Sequence, residues 1–161
     1  MEIRPYEPGD EAGLWDCKRA FELGLGAGTG GDEKETKYEG KLDETYRAEW
    51  FEWVERCVGS DPRCVTVAVA DGDVTGYVFV LPESHRFIWD SAVLNELYVA
   101  PERRGTGVAD DLMAAAVELA REQDLPLDRL VLDVDRENDR AQAFYERHGF
   151  DHWGEMVARE I

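Results

Sequence analysis

Lysine is almost missing from this 161-residue chain, which holds only Lys18, Lys34, Lys37 and Lys41. Positive charge is scarce altogether: 18 basic residues against 36 acidic ones leave a formal charge of −18 at pH 7. A surface of that sign repels phosphate at the range where electrostatic steering works, so neither nucleic acid nor an anionic membrane is expected as a partner. Cysteine is limited to Cys17, Cys57 and Cys64, an odd number without a C-x-x-C pair. That argues against a disulfide framework or a zinc knuckle and fits a reduced cytoplasm. No stretch approaches the roughly 18 apolar residues of a membrane span, and Met1-Glu2-Ile3-Arg4-Pro5 lacks the basic and apolar regions of a signal peptide. A cytoplasmic protein without either segment is the expectation.

What is present is enough for a core. Hydrophobic residues make up 43% and aromatic residues 11%, which separates the chain from disordered sequences despite its charge. Its length suits one domain over residues 1–161, without an internal repeat or a linker. The acids are spread along the chain rather than gathered in a tail, as expected of a solvated surface. Acid excess with scarce lysine resembles cytosolic proteins of organisms that accumulate salt, where a Debye length of about 3 Å at molar concentration screens self-repulsion.

Along the chain, Ile3 to Tyr6 predicts a short edge strand, and Pro8-Gly9-Asp10 a turn opening a helix to about Leu23. Gly24 to Lys41 predicts a loop, and Asp43 to Val58 a second helix carrying Tyr46, Trp50, Trp53, Val54 and Cys57 at helical spacing. Arg63 to Ala70 and Val74 to Leu81 flank Asp71-Gly72-Asp73, a strong hairpin signal. Further strands are expected at Ala92–Val99, Arg129–Val134 and Trp153–Arg159, with helices at Gly105–Gln123 and Asp139–His148 between them. Strands alternating with helices in the second half imply a mixed α/β sheet with crossover connections.

Chemistry concentrates in two segments. The first is Arg104-Gly105-Thr106-Gly107-Val108-Ala109, behind the strand ending at Val99 and the turn Pro101-Glu102-Arg103. Its glycines let backbone N–H groups approach an anion, and a helix N-terminus adds dipole and unpaired donors, which makes a pyrophosphate cradle. It lacks the Lys-Ser/Thr ending of a P-loop. The second is Asn138-Asp139-Arg140-Ala141-Gln142-Ala143-Phe144-Tyr145-Glu146-Arg147-His148-Gly149-Phe150, in which Asn138, Ala141 and Tyr145 share one helix stripe.

Together these segments resemble the GNAT N-acetyltransferases: the first matches the family's Arg/Gln-x-x-Gly-x-Gly/Ala motif, the second its Asn-x-x-Ala-x-x-Phe-Tyr-x-x-x-Gly-Phe pattern, and the likeness covers roughly residues 64 to 160. The resemblance implies a mixed sheet of about six to seven strands, splayed centrally and flanked by about four helices. It also implies acetyl-CoA as co-substrate and an amine acceptor, a small molecule or a peptide, with no metal. In that picture pantetheine pairs with backbone at Leu97 and Val99, pyrophosphate rests on the amides of Arg104 to Ala109, and Asn138 touches the cofactor arm. Tyr145 stands at the family's proton donor, Glu96 where several members carry a base, and a backbone N–H near Tyr98 would hold the carbonyl oxygen as it gains charge. Two alternatives stay open on the residues alone: a non-catalytic module that binds acyl-CoA, and a transferase acting on protein N-termini. Dimerisation is common in the family, and a homodimer likewise stays open.

Other signals carry less. Gly26-Ala27-Gly28-Thr29-Gly30-Gly31 matches the dinucleotide fingerprint G-x-G-x-x-G in the wrong context, behind a helix and ahead of acids, and is expected to be a loop over the acceptor site. Asp133 and Asp135, and His148 and His152, are not expected to bind metal.

Overall fold

The computed structural model describes residues 1–28 and 39–161. Among them, five strands form one mixed sheet in chain order: β1 (Glu2–Pro5), β2 (Val65–Ala70), β3 (Asp73–Val80), β4 (Ala92–Val99) and β5 (Leu130–Val131). Neighbours are antiparallel as far as β4, and β5 joins β4 in parallel. Helices α1 (Glu11–Gly28) and α2 (Glu44–Ser60) precede β2, while α3 (Val108–Glu122) and α4 (Asp139–Arg147) flank β5 in sequence. None of the described helices is long and apolar enough to cross a membrane.

Local chemistry explains the boundaries. Asp43 caps α2 by accepting from the Tyr46 amide at 2.8 Å. Asp71 and Gly72 both take positive φ, 54° and 88°, as a two-residue hairpin turn of the primed type requires. Sheet residues then alternate between two cores. Val65, Val67, Tyr77 and Phe79 face α1 and α2, against Leu14, Trp15, Trp50 and Val54. Ala68, Val78, Val80, Leu94 and Val99 face α3, against Val108, Leu112, Met113 and Ala116.

Two expectations fail. Among the described residues the sheet has five strands rather than six or seven, because Trp153–Arg159 forms no strand: residues 151–161 are exposed and without secondary structure. A strand needs a ladder partner, and β5, expected over Arg129–Val134, is paired for two residues only. The loop expected from Gly24 also begins later, since α1 continues through Gly28. Isolated glycines cost a growing helix only about 1 kcal/mol each, and each added residue brings another hydrogen bond. The rest of that segment, including the expected cover over the acceptor site, lies mostly outside the described residues.

Candidate functional site

β4 carries one irregularity that decides where its side chains go. Phe79 pairs with Glu96, but the next residue, Val80, pairs with Leu94, so Asn95 is an extra residue in the strand. In an unbulged strand Glu96 would share the face of Leu94. Here it turns to the α1 and α2 side with Tyr98, while Leu97 and Val99 stay on the α3 side.

Glu96 meets an ion pair there. Leu14, Lys18 and Glu22 follow one another at four-residue spacing along α1, so they share its buried stripe. Lys18, only 2% exposed, donates to Glu22 Oε1 at 2.5 Å and to Glu96 Oε1 at 2.6 Å. The second oxygen of Glu96, itself 5% exposed, accepts the Tyr77 hydroxyl at 2.6 Å. Burial alone would drive the proton off Lys18, but the facing carboxylates of Glu96 and Glu22 outweigh it and raise its pKa. For Glu22 the balance is the mirror image: burial raises its pKa, and Lys18, with Lys41 at 2.9 Å, brings it below the ordinary carboxylate value. Burial, then Glu96, pushes the Tyr77 phenol well above its ordinary range, so it stays a neutral donor.

A cavity of about 350 Å³ opens over this cluster. Its polar walls are Lys18, Glu22, Glu49 and Glu96, and α2 supplies Tyr46, Trp50 and Trp53 as apolar ones. Amines fit such a lining, since carboxylates and aromatic faces both attract cations.

The other side of β4 suits an anionic, extended ligand. Beyond Val93 the strand has no neighbour on its β5 side among the described residues, which leaves a strand edge open. The chain then turns through Pro101–Arg103, and Arg104 Nε donates to the Val99 carbonyl at 2.9 Å, tying the loop to the strand. Gly105 and Gly107 hold φ of 73° and 91°, and a Cβ at either would enter open space. Gly107 is the N-cap of α3 and supplies no side chain, so the first amides of that helix remain available to a ligand. Thr106 is anchored by donating its hydroxyl to the Arg103 carbonyl. Two acids in the first turn of α3 oppose an anion, yet Asp110 is held aside by Arg147 at 2.8 Å and His148 at 2.7 Å, which also lower its pKa.

α4 brings the second expected segment to this side. Asn138 Oδ1 accepts from the Ala141 amide at 3.1 Å, so it caps the helix. Tyr145 packs against Phe144 and Phe150 at ring distances of 5.3 and 5.6 Å. Burial lifts its phenol to about 12, so it is protonated at neutral pH, and its hydroxyl makes no hydrogen bond among the described residues.

Residues 31–150 match the acetyltransferase (GNAT) family. The chain belongs to the GNAT family. It is 33% identical over 162 residues to the mycothiol acetyltransferase of Kocuria rhizophila, an alignment covering 95% of this chain and 46% of that protein. The chain spans about half the length of the curated relatives it matches. Its fold resembles PaiA N-acetyltransferase from Thermoplasma acidophilum, solved in complex with coenzyme A, with a TM-score of 0.73 at 23% identity over 93% of this chain and 89% of that one. It also resembles a ribosomal-protein-alanine N-acetyltransferase from Brucella melitensis, with a TM-score of 0.72 at 23% identity, covering 96% and 86% of the two chains.

Within this GNAT domain the expected site residues fall into two groups on one strand. Glu96 and Tyr98 face the cavity side, whereas the segment from Arg104 to Ala109, Asn138 and Tyr145 belong to the α3 and α4 side. Lys18, Glu22, Glu49 and Tyr77 went unnoticed in the sequence, although the place of Lys18 and Glu22 on the stripe of Leu14 was a signal that they are buried. The discounted motifs have structural work: Asp135 accepts the Glu137 amide at 2.8 Å, and His148 is paired with Asp110. All three cysteines are buried, and burial raises each thiol, to about 12 for Cys17 and Cys64 and about 11 for Cys57.

Proposed function

We propose that this GNAT protein transfers the acetyl group directly to a primary amine held in the cavity beside Glu96, in a ternary complex. The observation that carries this reading is the placement of Glu96: a buried carboxylate lines the cavity, on the strand whose open edge and following glycine loop suit the acetyl donor. Both oxygens of Glu96 already accept hydrogen bonds, so its part in proton removal is one exercised through water. The amine nitrogen attacks the thioester carbon, the carbon–sulfur bond breaks, and Tyr145 gives its phenolic proton to the departing sulfur. The proton lost by the amine leaves by way of Glu96, and solvent returns one to Tyr145, so the products are the N-acetyl amine and the free thiol. Leu97, Val99 and the amides from Arg104 to Ala109 hold the donor, Asn138 borders its arm, and the N–H near Tyr98 faces the carbonyl oxygen. High thiol pKa values support transfer without a cysteine intermediate. The relatives carry different names, a mycothiol acetyltransferase and a ribosomal-protein-alanine N-acetyltransferase, so the cavity is the better guide to the acceptor.

The test is a panel of primary amines with acetyl-CoA, following release of the thiol. Initial-rate lines should intersect, as for a ternary complex, and Glu96→Gln should lower kcat by roughly 10²-fold with acetyl-CoA affinity unchanged. Tight acetyl-CoA binding with no turnover on any amine would leave a binding module instead.

A further inference from the structure

The acceptor cavity has an unbalanced charge and an unsatisfied donor. Lys18 and Lys41 are taken up by Glu22 and Glu96, which lie at the buried end. Glu49, exposed on α2, lines the same cavity and makes no ion pair among the described residues, so one carboxylate is left over at the outer end. Beside it, Trp50 lines the cavity at 5% exposure, and its indole N–H finds no acceptor among the described residues. A buried N–H without a partner is uncommon and points to an oxygen supplied from elsewhere.

Resting on the transfer reading above, we infer that the acceptor is a small molecule with at least two cationic amines and a hydroxyl between or beside them. One amine lies toward Glu96 and is acetylated; the second pairs with Glu49 over the faces of Trp50 and Trp53. The volume fits this class, since about 350 Å³ is near the lower end of cavities that hold small ligands. The walls fit it too. An amine with an apolar tail would gain from the tryptophans but strand Glu49, whereas a dication uses both. Neutral acceptors and acids have nothing to meet at the outer end except a like or unpaired charge.

Diaminobutane and butylamine test this, because they have the same carbon chain and differ by one ammonium. At about 0.1 M salt, kcat/KM for diaminobutane should exceed that for butylamine by about tenfold or more. Glu49→Gln should bring the ratio close to one while thermal melting and acetyl-CoA affinity stay at wild-type values. Diaminopropanol should outperform diaminopropane, and Trp50→Phe should remove that advantage. Turnover of both amines at equal efficiency, or a ratio that survives Glu49→Gln, overturns the dication assignment while leaving acetyl transfer intact. Thiol release with none of the four amines overturns the transfer reading and the acceptor class with it.

Discussion

Replacing Lys18 with Met keeps the side-chain length and removes its charge. Glu22 and Glu96 then face each other inside the protein, with oxygens held within about 5 Å by their present bonds to one nitrogen. At an effective dielectric of about 20, two like charges at that distance repel by about 3 kcal/mol. Removing one partner of a buried ion pair costs about 3–5 kcal/mol, which agrees. For a domain of this size each kcal/mol moves the midpoint by about 2–4 °C, so Lys18→Met should melt roughly 10 °C lower at pH 7. The pH dependence gives a second readout. In the wild type the Glu22 pKa is lowered, so its contribution is complete above the unfolded value near 4.3 and is lost as pH falls through the folded value. Without Lys18 the sign reverses: protonating Glu22 relieves repulsion, and the variant should gain stability as pH falls from 7 toward 5 while the wild type stays level. Adding Glu22→Gln to Lys18→Met should restore most of the loss. Melts of Lys18→Met within about 2 °C of wild type, with parallel pH curves, would refute the view that this triad is a tightly coupled buried unit.

Gly107→Val forces a β-branched residue to φ of 91° and points its Cβ into the space a phosphate would use, so acetyl-CoA affinity by calorimetry should fall tenfold or more, about 1.4 kcal/mol. Unchanged affinity in the folded variant would remove the loop from the binding site. Tyr145→Phe should lower kcat by roughly 10²-fold with little change in KM for acetyl-CoA, and because the phenol titrates near 12, the wild type should show no alkaline loss from this group below pH 10. Raising potassium chloride from about 0.1 M to 1 M should raise the melting temperature and hold or strengthen acetyl-CoA binding, since it screens 18 excess negative charges. Stability and affinity both falling with salt would show that the acid surface is not adapted to high salt.

Sequence legibility followed the range of the interactions. Asp43, the Asp71-Gly72 turn and the glycines at 105 and 107 act on their own backbone, so their residue types announced them. Helices α3 and α4 were visible for the same reason, as stripes of apolar residues with a cap. The acceptor side was different. Lys18 and Glu22 share the stripe of Leu14, but nothing local points to their partner Glu96, 78 residues away. Nothing local marks Asn95 as an inserted residue, because its register depends on β3. The strand expected at Trp153–Arg159 had suitable residues, but pairing belongs to two segments, and β5 is too short to template it.

Asn95 has a consequence that reaches both substrates. A bulge bends its strand and increases the local twist, and this one begins immediately after Val93, the last residue of β4 paired to β5. One extra residue thus lies where the two strands part, and it sets Leu94 and Glu96, two positions apart, on opposite faces of the sheet. A strand lacking Asn95 would still present Glu96 to the cavity, but it would run straighter beside β5 and narrow the gap where the proposed function puts the acetyl donor. Gain or loss of a single codon would therefore act on donor access while leaving the acceptor's carboxylate in place, which makes this position a hinge between two specificities that could otherwise drift apart.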